Sequence, residues 1–217
     1  MSPCFERLAA TGPSGAPAAG VLERAAAALR DGAILAHPTS TVYGLGALGP
    51  GGDRAIARLK DRDPERPFLR LAASVEALRA ARPELDWDER AERLARRFWP
   101  GGLTLVLPDG SGAGLGVRVE AHPVTRALLE RLGAATLSST SLNRTGAEPA
   151  RTSGEVEAFL AAAPDPGPPV LFLDAGDLPA SRPSTVVSLV ERPARLLRAG
   201  AVPPEEVAGA MDGELST

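Results

Sequence analysis

Hydrophobic and polar positions along the chain repeat at two different periods, and each change of period marks a predicted element. Apolar residues recur at helical spacing over 21–30, 53–59, 75–81, 88–98, 123–132 and 153–163. Short apolar runs typical of buried strands lie at 33–36, 68–73, 104–107, 116–119, 135–139, 170–173, 185–190 and 194–198. Strands and helices alternate in this order, so the sequence predicts an α/β fold with a twisted, mixed sheet.

The second predicted helix leads directly into a charged segment. Asp53 is a candidate N-cap for this helix, and Lys60 and Arg62 lie at its C-terminal end. Pro64 and Pro67 favour extended backbone, in which residues two apart point to the same side. We therefore expect Lys60 and Arg62 to be exposed side by side. A mobile ammonium beside a planar guanidinium suits a polyphosphate, although a solvated charge cluster is the more common explanation of such a run.

Length and composition bound the class of protein. The chain has 217 residues, 44% of them hydrophobic, which predicts one domain with a sizeable core. Aromatic residues make up only 4%, so that core must consist mostly of Ala, Leu and Val. We expect a flexible leader at 1–20, a domain at 21–205 and a tail at 206–217. No secretory signal is recognisable, and no run approaches the roughly 20 apolar residues of a membrane span, so we expect a cytoplasmic protein.

Charge and cysteine content exclude further classes. A net charge of −3 and a pI near 5.5 argue against a surface that coats nucleic acid, but not against a local basic cleft. Cys4 is the only cysteine, which leaves neither an internal disulfide nor a Cys-rich zinc site. His37 and His122 lack a matching carboxylate pattern, so no metal site is predicted and His37 is expected to be packed. No Ser-His-Asp arrangement is recognisable, which argues against a hydrolase.

The rarest residue types fall inside polar motifs. Lys60 is the only lysine, Asn143 the only asparagine and Tyr43 the only tyrosine, and glutamine is absent. A compositional bias has removed these types almost everywhere. A position that retains one is therefore a candidate for needing its chemistry, although chance retention explains any one of them.

Hydroxyl-rich segments follow two of the predicted strands. The segment 38–46 is dense in hydroxyls and glycines, and the segment 138–146 combines short hydroxyls with Asn143. Both can direct several N–H and O–H donors at phosphate or carboxylate oxygens. The second lacks the Walker pattern G-x-x-x-x-G-K-[ST], which excludes a P-loop. The segments 182–187 and 196–200 each add an arginine, and an ordinary turn or surface residue remains the alternative for every segment taken alone.

Taken in order, these segments resemble the threonylcarbamoyladenylate synthase (YrdC/Sua5) family. The resemblance runs from about residue 21 to residue 202. Its motifs are Pro38-Thr39-x-Thr41-Val42-Tyr43-Gly44-Leu45-Gly46, Trp99-Pro100-Gly101-x-Leu103-Thr104, Val117-Arg118-Val119 with His122-Pro123, Ser141-x-Asn143, Ser184-Thr185-Val186-Val187 and Leu197-Arg198-x-Gly200. Six motifs in one order are far more specific than any one of them.

The resemblance implies a fold and an activity. The fold is a YrdC-like twisted mixed sheet with flanking helices around a basic concave cleft. The activity is that of a nucleotidyltransferase, which joins L-threonine, bicarbonate and ATP into threonylcarbamoyl-AMP and releases pyrophosphate. Mg²⁺ would accompany ATP. The product would serve the N6-threonylcarbamoyladenosine modification of tRNA, through a downstream tRNA threonylcarbamoyl transferase complex.

The resemblance also implies roles for individual residues. The catalytic residues would be Lys60 and Arg62. ATP would be held by Lys60, Arg62, Ser141, Asn143 and Arg198. L-threonine would be held by Thr41, Arg118, Ser139 and Ser184, with Arg118 pairing with a carboxylate. No side chain is implied as a metal ligand.

The sequence departs from the family pattern at several positions. Ser40 stands where the family usually has an acidic residue, and Leu71 stands where many relatives have a histidine near the threonine. Asp63 and Gly102 replace prolines, and Leu142 replaces an alanine. Two alternatives therefore stay open. One is a YciO-like paralogue with another carbamoyl or adenylate substrate, and the other is an RNA-binding factor that uses the same cleft.

Overall fold

A mixed β-sheet forms the centre of the computed structural model, which describes residues 5–12, 14–133, 135–144, 146–211, 213 and 215–216. Within these residues the strands are β1 (Phe5–Ala9), β2 (Ile34–His37), β3 (Gly44–Gly46), β4 (Leu69–Ala72), β5 (Leu103–Leu107), β6 (Leu115–Val119), β7 (Leu137–Ser141), β8 (Val170–Asp174), β9 (Thr185–Ser188), β10 (Ala194–Arg198) and β11 (Leu215–Ser216). The helices are α1 (Ala19–Arg30), α2 (Gly49–Lys60), α3 (Val75–Ala81), α4 (Glu89–Phe98), α5 (Pro123–Leu132), α6 (Ser153–Ala162) and α7 (Pro204–Ala210).

The strand order across the sheet is β1-β8-β2-β3-β7-β4-β6-β5-β9-β10-β11. Parallel pairs such as β2 with β8 and β4 with β6 alternate with antiparallel pairs such as β3 with β7 and β5 with β6. The predicted mixed α/β sheet is confirmed. This order places the hydroxyl-rich strand β7 between β3 and β4, at the middle of the sheet.

Helices cover both faces of the sheet, and strand β2 shows how the sequence directs this. Leu35 packs into a core with α1 and α5, whereas its neighbours Ile34 and Ala36 pack into a second core with α2 and α6. Since successive strand residues point to opposite faces, a strand buried on both faces has to be a continuous apolar run. A third core joins α4 and α7 to β5 and β9. Leucine, alanine and valine predominate in all three, as the composition predicts.

The two chain ends differ from the expectation. Phe5–Ala9 lies within the expected flexible leader, but it forms strand β1 and pairs in parallel with β8. The segment expected to be a tail contains most of α7, and Met211 within it is fully buried. Both segments contribute to the sheet or the core, so the expected boundaries at residues 20 and 206 do not separate folded from flexible chain. Cys4 lies outside the described residues.

The predicted N-cap of the second helix is also wrong. Helix α2 begins at Gly49, with a proline in its first turn, so Asp53 is a helical residue whose carboxylate accepts a hydrogen bond from Arg70 at 2.7 Å. Helix α6 begins with a capping box, in which Thr152 is the N-cap and Glu155 is its partner. None of the described helices is long and apolar enough to cross a membrane.

Candidate functional site

A concave cavity of about 420 Å³ lies over the middle of the sheet. Its walls include residues from β3, β7, β4, β6, β5, β9 and β10, which are neighbours in this order across the sheet. On several strands alternate residues face the cavity, such as Leu69 and Leu71 on β4 or Gly116 and Arg118 on β6. The curved face of the sheet is therefore itself the floor of the cleft.

The structure brings together seven of the nine residues that the sequence predicts for the site. Those that line the cavity are Thr41, Arg62, Arg118, Ser139, Ser141, Ser184 and Arg198. Lys60 and Asn143 lie behind Ser141, outside the lining residues. The cavity has two chemically different ends, one at Arg62 and Ser141 and the other at Arg118, Thr41 and Ser184. We call these the β7 end and the β6 end.

Lys60 is buried, contrary to the expected exposure. It occupies the last position of α2 and is only 4% exposed. The next residue, Asp61, has a φ of 50°, so the backbone turns in the left-handed region instead of running extended. The Lys60 ammonium donates to the backbone oxygens of Ser141 and Asn143 and to Asn143 Oδ1 at 2.9 Å. Burial and the nearby charge of Arg62 lower the pKa of Lys60 to about 8.

The only lysine and the only asparagine are thus bonded to each other. Ser141 Oγ donates to Asn143 Oδ1 at 2.7 Å, and Asn143 Nδ2 donates to the Ala147 carbonyl at 2.6 Å. Lys60, Ser141 and Asn143 form one network that fixes the backbone where β7 ends. The sequence predicts each as a separate ligand of the same anion, and the contacts between them were not expected.

Arg62 reaches the cavity from the segment that follows α2. Its Nη2 donates to the Pro67 carbonyl at 3.0 Å, and its guanidinium stacks 4.6 Å from the centre of the Phe68 ring. Burial and the charge of Arg66 lower the pKa of Arg62, although a guanidinium remains charged at any physiological pH. Arg66 also lines the cavity. The β7 end therefore presents two guanidinium groups in front of the buried Lys60 ammonium.

Arg118, on β6, is the central cation of the other end and is only 3% exposed. Its Nε donates to the Gly101 carbonyl at 2.8 Å, Nη2 to Ser40 Oγ at 2.6 Å and Nη1 to Thr41 Oγ1 at 3.3 Å. Nη2 also lies 2.9 Å from Glu120 Oε2. Arg118 is therefore held from several sides, with its Nη1 edge beside a hydroxyl that lines the cavity.

Glu120 is the main residue of this site that the sequence reasoning did not identify. It is fully buried, and its Oε1 accepts hydrogen bonds from the backbone N–H groups of Ser40, Ala121 and His122 at 2.7, 2.9 and 2.9 Å. Burial by itself raises the pKa of Glu120, but the charge of Arg118 and these N–H donors outweigh it and lower the pKa below its usual value. Glu120 is therefore a carboxylate in the folded protein.

A second arginine stands at the β6 end. Arg198 donates from Nε to the Ser184 carbonyl at 3.0 Å and from Nη2 to Ser184 Oγ at 3.1 Å. Thr104 Oγ1 extends this network to Ser184 Oγ at 2.8 Å. Burial lowers the pKa of Arg198, and the charge of Arg118 lowers it further. Two guanidinium groups near enough to repel each other favour an anion between them.

The histidine next to this site is packed, as expected. His37 is fully buried on β2, with Nε2 3.3 Å from Ser139 Oγ. Burial lowers its pKa to about 4, so the imidazole is neutral at physiological pH. No group of three or more His, Cys, Asp or Glu side chains in the described part of the chain could hold a metal ion. Cationic and hydroxyl donors thus dominate the chemistry of the cavity.

These observations define an α/β protein whose curved sheet carries a cleft for anions, lined by arginines and hydroxyls. The family model Sua5_yciO_yrdC, described as telomere recombination, matches residues 27–200. The chain therefore belongs to the Sua5/YciO/YrdC family, and the resemblance seen in the sequence is confirmed.

Similarity to individual threonylcarbamoyl-AMP synthases supports membership in this family. The chain is 37% identical over 196 residues to a threonylcarbamoyl-AMP synthase of Pyrococcus abyssi, covering 84% of this chain and 55% of that protein. It is 39% identical over 177 residues to a threonylcarbamoyl-AMP synthase of Chromohalobacter salexigens, covering 76% of this chain and 90% of that protein. The chain thus spans about half the length of the first of these relatives and most of the second.

Solved structures agree with the fold. The crystal structure of P. abyssi Sua5 complexed with L-threonine has a TM-score of 0.79 and 30% identity, over 98% of this chain and 62% of that one. The crystal structure of E. coli YciO has a TM-score of 0.73 and 23% identity, over 90% of this chain and 95% of that one. The second likeness is one of fold alone.

Proposed function

We propose that this protein is a threonylcarbamoyl-AMP synthase, which makes threonylcarbamoyl-AMP and pyrophosphate from L-threonine, bicarbonate and ATP. The proposal rests on the observation that one cavity has two cationic ends. Arg62 and Ser141 lie at one end, and Arg118 and Thr41 lie at the other. An amino acid and a nucleoside triphosphate each bring anionic groups, and a condensing enzyme has to hold both in one cleft. Named relatives and the threonine complex of P. abyssi Sua5 support the same assignment.

The β6 end is suited to L-threonine. A carboxylate is best recognised by a charged donor together with neutral donors, and Arg118 Nη1 lies beside the Thr41 hydroxyl. Ser139 and Ser184 supply further hydroxyls in the same part of the cavity. We assign these residues to the amino acid, with Arg118 on its carboxylate.

The β7 end is suited to the triphosphate. Arg62 and Ser141 line the cavity, and we assign them to direct contact with phosphate oxygens. Lys60 and Asn143 lie immediately behind Ser141 and are bonded to it or to each other. The Lys60 ammonium there places positive charge next to the groups that donate to phosphate, and it also fixes the end of β7. We assign Arg198, on the far side of the cavity, to the nucleotide.

The reaction requires one anion to attack another. Bicarbonate and the threonine amine form a carbamate with loss of water. A carbamate oxygen then bonds to the α-phosphorus, the bond from that phosphorus to the bridging oxygen breaks, and pyrophosphate leaves. The residues contribute by holding the two reactants together and by offsetting their repulsion with fixed cations. Mg²⁺ enters with ATP, because phosphate oxygens are ligands of the kind that it prefers and the described side chains form no metal-binding group.

Pyrophosphate release tests the assignment. We expect release only when ATP, L-threonine and bicarbonate are all present, with the product consumed in turn by a tRNA threonylcarbamoyl transferase complex. Release that ignores threonine would instead assign the protein to another carbamoyl or adenylate substrate. Salt-sensitive RNA binding without any release would favour the RNA-binding alternative.

A further inference from the structure

Glu120 is a buried carboxylate for which the proposed reaction has no direct use. It lies immediately after β6, two residues beyond Arg118, so strand alternation places both side chains on the same side of the backbone. Its two oxygens have separate partners. Oε1 accepts from three backbone N–H groups, whereas Oε2 lies 2.9 Å from Arg118 Nη2 without an aligned hydrogen bond. The contact with Arg118 is therefore one of charge more than of hydrogen-bond geometry.

The donors of Arg118 show what this contact achieves. A guanidinium has five N–H donors; Nε donates to Gly101 and Nη2 donates to Ser40, while the charge of Glu120 lies against Nη2. Among the described contacts, Nη1 makes only the long one of 3.3 Å to Thr41 Oγ1. The inner edge of the guanidinium is thus fixed by the protein, and the Nη1 edge is directed at the cavity.

We propose that Glu120 is a positioning residue, which holds Arg118 and the Ser40 turn so that the Nη1 edge of Arg118 meets the substrate carboxylate. One carboxylate bridges the two elements, because Oε1 fixes the Ser40 backbone and Oε2 attracts the guanidinium. Without the charge on Oε2, only neutral oxygens remain to orient Arg118. The proposal rests on the proposed function in that threonine is taken as the ligand.

Glu120→Gln separates the two tasks of this side chain. The amide oxygen can keep the three backbone N–H bonds, while the amide NH₂ replaces Oε2 and turns a donor toward the guanidinium. We expect KM for threonine to rise about tenfold, as for loss of one charged interaction, with KM for ATP within twofold of the wild type. Unchanged KM for threonine would overturn the proposal, and so would an equal rise for both substrates.

A second substitution tests whether charge is the cause. Ser40 Oγ lies 2.6 Å from Arg118 Nη2, so an aspartate at position 40 can place a carboxylate next to the same nitrogen. In the Glu120→Gln background, Ser40→Asp should lower KM for threonine again by at least about threefold. No recovery would overturn the proposal that a charge at Nη2 positions the guanidinium.

A matched control and a readout without substrate complete the test. Asp53→Asn breaks the ion pair of Arg70, which lies outside the cavity lining, and should leave KM for threonine unchanged. A crystal structure of Glu120→Gln should show the Arg118 guanidinium displaced from Thr41, and an unmoved guanidinium would overturn the proposal. If the wild type proves not to use threonine, the proposed function fails, and this crystal structure alone still decides the role of Glu120.

Discussion

The two ends of the cleft each contain a buried cation, but the partners of the two cations differ in charge. At the β7 end, the Lys60 ammonium is bonded to three neutral oxygens of Ser141 and Asn143. At the β6 end, Arg118 lies against the carboxylate of Glu120. The charge of Lys60 is therefore held by neutral oxygens, whereas that of Arg118 is balanced by a carboxylate, and Arg198 remains as a second cation at the β6 end.

This difference matches the charges of the proposed substrates. A triphosphate carries several negative charges, which excess positive charge at the β7 end can offset. Free threonine is a zwitterion, so its site has to orient one carboxylate without repelling an ammonium. An arginine balanced by a carboxylate provides direction and adds little net charge, so among the described residues Arg198 is the one uncompensated guanidinium beside it. The comparison predicts that substitutions at the two ends will affect different substrates.

The largest effect is expected from Lys60→Met, which removes the buried ammonium charge at the β7 end and keeps a side chain of similar length. Turnover should fall by about a thousandfold, because fixed positive charge next to the reacting phosphates is lost and the end of β7 is no longer held in place. The oxygens of Ser141 and Asn143 also lose a charged donor, at about 1–3 kcal/mol for each buried group left unsatisfied, so the unfolding temperature should fall too. Single-turnover pyrophosphate release and thermal unfolding measure the two effects, and wild-type turnover would refute the phosphate role.

Arg118→Ala should have the next largest effect, and it should fall on the other substrate. We expect KM for threonine to rise about a hundredfold with a much smaller change for ATP, because a charged partner is lost. The substitution also leaves Glu120 as a buried carboxylate without its cation, at about 3–5 kcal/mol. The control is Arg70→Ala, which removes a paired arginine outside the cavity. Equal weakening of both substrates by Arg118→Ala would contradict the division of the cleft.

The pH dependence provides a third difference between the ends. The pKa of Lys60 is about 8, against an ordinary 10.5, whereas a guanidinium stays charged throughout this range. As pH rises above about 8, kcat/KM for ATP should fall with loss of the ammonium charge. The stability contribution of Lys60 should change in the opposite direction. Between the folded and unfolded pKa values the unfolded chain binds the extra proton, so stability rises with pH.

Lys60 is the only lysine, which makes this prediction directly measurable. Protein labelled with ¹³C at the lysine ε-carbon should give one side-chain resonance, and its titration reports the pKa of Lys60 without any assay. A midpoint near the ordinary 10.5 would show that the ammonium is not desolvated, and it would remove the proposed cause of the activity loss.

Sequence periodicity predicted those parts of the fold that depend on local pattern. The helices at Val75–Ala81 and Pro123–Leu132 and the strand at Ala194–Arg198 have the predicted bounds. Strand β3 was missed because three residues, Gly44–Gly46, are too short for a pattern to form. The glycine is needed there, since a Cβ at Gly46 would lie 2.5 Å from the Ser138 carbonyl oxygen.

The sequence predicted which side chains lie near one cavity better than it predicted the contacts between them. Seven of the nine predicted residues line this cavity, and their roles stay predictions. The bond between Lys60 and Asn143 joins residues 83 positions apart, and it depends on how α2 packs against the end of β7. Glu120 could have been identified from the sequence, since it follows Arg118 by two positions at the end of a predicted strand. The family usually has an acidic residue at position 40, where this chain has Ser40. No sequence pattern indicated that Glu120 places a carboxylate beside Arg118 instead.

The smallest predicted effect comes from Ser40→Asp in the otherwise wild-type protein, which adds a second acid to the balanced end. With Glu120 present, Arg118 would face two carboxylates, and the net positive charge that Arg118 and Arg198 give the β6 end would be lost. We expect KM for threonine to rise about threefold, since like charges at a partly exposed site repel weakly, while KM for ATP stays unchanged. In the Glu120→Gln background, the same substitution should instead lower KM for threonine. An effect of the same sign in both backgrounds would show that the geometry of the Ser40 turn, and not the balance of charge around Arg118, controls threonine binding.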